Sequence, residues 1–213
     1  MTIAPFSTDE ELISFARKFF RDRIGPFRAD IAICLTPDAN GHRAEFPALI
    51  TCIGFVELLS GLYAGNLESN GLANLQSYAA RFMDTTKYDP LRLQVLYLVF
   101  RHKLVHLSFP HFVFDTAGRK EFQHHKQRRI TWSVFSSKRP IPIELHDHSI
   151  TYLQKTLRPW PMAYDCRAVI SVRSLQIDIV KSINGPRGYL ECLRSDLSAR
   201  QRFAKCMKAI FPP

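Results

Sequence analysis

The stretch Leu91-Arg92-Leu93-Gln94-Val95-Leu96-Tyr97-Leu98-Val99-Phe100 constrains the fold more than any other part of the chain. Pro90 suits a first helical turn, and from there to Phe100 only Arg92 and Gln94 are polar. A helix with so little polar face needs apolar neighbours on nearly every side, so it belongs inside a bundle. The pattern predicts a helix from Pro90 to about Leu107. Near its end come Arg101 and His102, and one turn later His106. A cation and two imidazoles at the end of a core helix cost desolvation energy unless something pairs with them. A fixed cation beside a titratable base is also what phosphoryl transfer needs, which makes this helix end a candidate site.

The remaining elements follow from period and punctuation. Ser7-Thr8-Asp9-Glu10-Glu11 offers two overlapping capping boxes, Ser7 with Glu10 and Thr8 with Glu11. They open a helix with Leu12, Phe15, Ala16, Phe19 and Phe20 on one face, expected to end near Gly25-Pro26. Residues 27–35 are ambiguous, and 36–41 read as a loop. A second helix is expected from Phe46 to Ala64, apolar nearly all round, with Glu57 as its one buried-looking acid and a stop at Gly65-Asn66. A third runs from Leu72 to Met83. Beyond Pro110 the texture turns β-branched and aromatic, at 111–114, 130–135, 141–145 and 163–172. Helices resume over Leu175–Ile183 and Arg187–Ile210, split by Asn184-Gly185-Pro186. The expected fold is a mainly α bundle over residues 1–213, one domain, carrying a small antiparallel β appendage at about 111–172.

Charge is concentrated rather than spread. Of the formal net charge of +10, residues 119–139 supply +6: seven Lys/Arg against the single acid Glu121. Phe122, Trp132 and Phe135 are interleaved with these cations, a mixture that suits RNA phosphates and unstacked bases. Lys126, Arg128 and Arg129 are the expected substrate-binding residues. The apolar runs look too short or interrupted to span a bilayer, and the start lacks the basic and apolar regions of a signal peptide. Five widely spaced cysteines without a C-x-x-C pair read as buried thiols in a reducing, cytoplasmic setting. No Gly-rich phosphate loop, G-x-S-x-G or magnesium-type acidic cluster is present.

Arg101-His102-x-x-x-His106 at the end of a core helix resembles the signature of the HEPN superfamily, small helical bundles many of which are RNA-cutting toxins or defence effectors. The resemblance covers about residues 46–110. It implies Arg101, His102 and His106 as catalytic residues, a homodimer with the site at its interface, RNA as substrate, no metal or other cofactor, and an antitoxin or regulatory protein as a further partner. The toxins paired with nucleotidyltransferases carry a tyrosine two residues past the histidine; this chain has Ser108 there, so nothing of that subgroup carries over.

The chemistry stands beside the resemblance. Metal-free RNA cleavage needs a base for the 2′-hydroxyl proton, an acid for the leaving 5′-oxygen and a cation for the phosphorane. Histidine fills either proton role, and arginine grips two phosphate oxygens at once. Five residues on an ideal helix are about 140° of rotation and roughly 7.5 Å of rise, so Arg101 and His106 do not share a face. Either the helix loosens or a second protomer completes the site. His102 and His106 do share a face, which keeps a zinc reading open, with His111, His124, His125, His146 or His148 as further ligands; Lys103 beside them disfavours it. The reading without chemistry pairs Arg101 with Glu57 or another core carboxylate, satisfies the histidines with carbonyls, and leaves a silent bundle that binds nucleic acid or protein or serves dimerisation.

Overall fold

The computed structural model describes residues 6–68, 71–101, 113–114, 128–152 and 162–212. Helix α1 spans Asp9–Cys34. Of the two capping boxes the second forms. The Thr8 hydroxyl accepts from the Glu11 N–H at 3.1 Å, and the Glu11 carboxylate reaches back to the Ser7 N–H at 2.8 Å.

The helix does not end near Gly25-Pro26, as the sequence suggests; it runs through Pro26, and 27–34 are its last turns. A proline inside a helix removes one hydrogen bond and crowds the preceding turn, at about 3 kcal/mol. Beyond it Phe27, Ile31 and Leu35 are all buried, each contributing about 1.5–3 kcal/mol, so packing outweighs the proline. Phe27 stacks on Phe55 at 4.2 Å between ring centroids. Pro26→Ala should therefore raise stability by about 1–2 kcal/mol, the restored hydrogen bond exceeding the lost stiffness of the unfolded chain. Denaturant unfolding checks it; a less stable variant would mean the kink is needed for packing.

Helix α2, Glu45–Ala64, passes through the middle of the bundle and packs on α1. On length and composition it could cross a bilayer, contrary to the expectation from its interruptions, but half of its apolar window is buried inside the protein. Gly65 ends it in the left-handed region at φ 75°. There Arg202 lies so close that a Cβ on Gly65 would come within 2.9 Å of its Cγ, while its Nε donates to the Tyr63 carbonyl at 2.5 Å. Helix α3 is Gly71–Phe82. Helix α4, Pro90–Val95, starts on an Asp89 cap with Pro90 in the first turn and continues as a π-helical turn over Leu96–Arg101. The rest of the helix expected to about Leu107 lies outside the described residues.

Three longer strands, β2 (Arg128–Phe135), β3 (Ile143–Tyr152) and β4 (Met162–Ser171), form the sheet, with the two-residue β1 (Val113–Phe114) beside β2. The order is β1-β2-β4-β3, with β3–β4 antiparallel and β2–β4 parallel. The sheet is thus mixed, not antiparallel as expected. The central strand is β4, which buries Tyr164, Cys166, Ala168 and Ile170 on one face and carries exposed Asp165 and half-buried Arg167 beside Val169 on the other. It pairs with β3 on one edge, antiparallel, and with β2 on the other, in the same direction, so β2 and β3 are not neighbours.

Helices α5 (Val172–Asn184), α6 (Tyr189–Ser195) and α7 (Leu197–Ile210) close the bundle. The expected single helix over 187–210 is interrupted at Asp196, whose carboxylate accepts from the Ser198 and Ala199 N–H groups at 2.8 and 3.2 Å and restarts the helix. The strands are not merely attached: Ile130, Ile143, Ala168 and Ile170 belong to the same buried cluster as the helices. All five cysteines are free thiols, four of them buried.

Candidate functional site

Two elements build the site. Helix α2 carries Glu57, and the π-helical turn carries Tyr97 and Arg101. A π turn bonds i to i+5, widening the helix at the point where the apolar stripe ends. Tyr97 and Arg101, four residues apart, lie on one side of it, with the guanidinium 5.6 Å from the centre of the Tyr97 ring.

Glu57 holds Arg101 from the side. Its carboxylate oxygens stand 2.9 and 3.1 Å from Nε. Both groups are partly exposed, the arginine side chain 34% and the glutamate 22%, so the pair is worth little as a stabilising salt bridge. Its value is orientation. A guanidinium offers five N–H donors in a flat fork; with Nε committed, the two terminal nitrogens are the pair that matches two phosphate oxygens.

Tyr97 completes the cluster, its ring beside the Arg101 guanidinium in the cavity that Glu57 also lines. Its ionisation is pushed up, first by burial and then by the Glu57 charge, with Arg101 opposing. A raised tyrosine value means the folded state ionises later than the unfolded one. The associated stability is complete below about pH 10 and is lost as pH rises through the folded value. Gly71 leaves room for the tyrosine hydroxyl: a Cβ there would lie 2.2 Å from the Tyr97 oxygen. Gly71→Ala should therefore push the ring out of its partly buried place and bring the Tyr97 ionisation back toward its ordinary range. An NMR pH titration of the Tyr97 ring reads this, and an unchanged titration would mean the ring does not depend on that space.

Glu57, Tyr97 and Arg101, with Asn66, Glu68 and Asn74, line a cavity of about 330 Å³. A second pocket of about 90 Å³ lies on the other side of Arg101, against Ile50, Ile53 and Gly54. The guanidinium therefore stands at an opening, while Phe100 beside it is fully buried.

Of the predicted site residues, Arg101 is in place, and His102, His106 and Lys126 lie outside the described residues. Arg128 opens β2. Arg129 is exposed on the same strand, its N–H donating to Asp165 at 2.8 Å, and it does not line the Arg101 cavity. Trp132 is not an open stacking face for a base; its ring packs edge-on against Phe46 at 5.0 Å and Phe100 at 6.5 Å. Phe135 lies under the Arg139 guanidinium. Sequence reasoning missed Tyr97 and Gly71. Tyr97, four residues before Arg101 on the same helix, carried a readable signal; Gly71 did not.

Among the described residues no three metal-ligating side chains gather. His146 is 3.1 Å from Glu144, whose ionisation is held down chiefly by the two hydrogen bonds it takes from Arg139. The chain matches no family model, no curated protein and no solved structure.

Proposed function

We propose that the protein is a HEPN-like, metal-independent endoribonuclease, acting as a homodimer in toxin or defence biology. The observation that carries this reading is Arg101: a cation at the end of a buried helix, held side-on by Glu57 at a cavity mouth. In the proposed step the 2′-hydroxyl oxygen attacks the adjacent phosphorus as His106 takes its proton. The bond to the 5′-oxygen breaks, that oxygen takes a proton from an acid such as His102, and a 2′,3′-cyclic phosphate remains. Arg101 would stabilise the charge that accumulates on the phosphoryl oxygens.

A second reading has its own observation. Glu57 already offsets the Arg101 charge, as in a bundle that only binds nucleic acid or protein. One experiment separates them. Purified protein incubated with single-stranded RNA in excess chelator should cut it. RNA bound but left intact favours the binding module, and activity abolished by chelator, with zinc at one per chain, favours a metal enzyme.

A further inference from the structure

Away from Arg101, α1 and α5 flank a groove of about 500 Å³, shared with the segment that leaves β2. Three cations line it: Arg28 from α1, Lys138 from the end of the basic segment and Arg173 from the first turn of α5. Ala32, Ile177 and Val180 supply its apolar surface. It shares no residue with the cavity around Arg101.

Two other cation-lined cavities hold acids as well: Asp84 and Asp178 stand among Arg81, Lys87, Lys181 and Arg187, and Glu57 and Glu68 stand beside Arg101. Here no acid lines the groove, and the side chains of Arg28, Lys138 and Arg173 form no ion pair or hydrogen bond with a described residue. Three unmatched cations repel one another, a cost that an anionic ligand removes. The apolar lining narrows the choice. Ile177, 43% exposed in the same groove as the three cations, offers a surface for the flat faces of bases and riboses while the cations meet the phosphates. A concave site also suits a strand better than a flat bilayer surface.

We propose that this groove holds the phosphodiester backbone of single-stranded RNA. The inference rests on the RNA reading above and deepens it, extending the basic segment onto the helical body through Lys138. It assigns affinity to Arg28, Lys138 and Arg173, and leaves the chemistry at Arg101.

The test uses the full chain and a fluorescent 2′-O-methyl RNA, which lacks the attacking hydroxyl and so reports binding alone. The variant Arg28→Gln/Lys138→Gln/Arg173→Gln should bind at least tenfold more weakly at low salt. The slope of log affinity against log salt should fall by about 2, three phosphate contacts at about 0.7 each. The pair Arg28→Gln/Lys138→Gln, both exposed, should lower it by about 1.4 and guards against misfolding of the triple variant. The control Arg17→Gln/Lys205→Gln/Lys208→Gln removes equal charge from exposed positions outside the groove and should leave the slope unchanged.

Equal losses in both triple variants, no RNA binding by the wild type, or polyglutamate bound as tightly through the same residues would each overturn the proposal. Wild type that binds uncleavable RNA through the groove yet leaves ordinary RNA intact supports the groove and overturns the nuclease reading. Cleaving protein whose groove variants bind RNA like wild type does the reverse.

Discussion

Arg101→Ala is expected to lower the rate of RNA cleavage at saturating substrate by about 100- to 1000-fold, the usual loss when one donor to a developing oxyanion is removed. Its fold should survive, because the ion pair it breaks is partly exposed and worth about 0–1 kcal/mol. Glu57→Gln should cost less. The amide still accepts from Nε, so the arginine stays oriented, and only the charge that polarises it is lost. His106→Ala should match Arg101→Ala in size, and the double variant should be little worse than either, since groups acting in one transition state are not additive. Single-turnover rates measure all four. Normal cleavage by Arg101→Ala would remove the arginine from the mechanism.

Phe203→Ala should destabilise the protein by about 3–5 kcal/mol, the largest stability effect expected of one substitution here. Phe203 is fully buried on α7, its ring centre 6.1 Å from Phe19 and 6.0 Å from Phe20 of α1. Phe20 in turn meets Tyr189 of α6 at 5.8 Å. This aromatic cluster ties the first helix to the last two, and a void at its centre cannot be refilled by neighbours on three separate helices. Phe211, also a phenylalanine but 52% exposed, supplies the comparison; Phe211→Ala should change stability by about 0.5 kcal/mol or less. Equal effects at the two positions, measured by denaturant unfolding, would mean that the C-terminal helices do not close the bundle.

Local signals in the sequence carried well. The Thr8 cap, Pro90 in a first turn and the stop at Gly65 all act within one helical turn, and the structure has each where the pattern puts it. Signals that depend on distant packing did not. Pro26 reads as a helix end because the sequence shows the cost of proline but not the burial of Phe27 and Ile31 that offsets it. The strands were visible from their β-branched texture, yet their order was not. Adjacent strands suggest a meander, whereas β4 lies between β2 and β3, a pairing set by contacts between strands distant in sequence.

The site divides in the same way. A lone acid in an apolar helix marks Glu57, and a lone cation at the end of another marks Arg101, 44 positions away in the chain. Each had to find a partner, and each was the other's. The i, i+4 spacing of Tyr97 and Arg101 could be read, but the π turn they sit on has no local sequence mark, and neither does the room Gly71 leaves for the tyrosine hydroxyl.

The chemistry of the cut ends tests the central claim most directly. Products of the purified protein acting on single-stranded RNA in excess chelator should carry 2′,3′-cyclic phosphate on one side of the break and a 5′-hydroxyl on the other. These are the only ends that attack by the neighbouring 2′-oxygen leaves. Ends bearing 5′-phosphate and 3′-hydroxyl would mean that water, not the 2′-oxygen, attacks, and would contradict the roles given to Arg101 and His106.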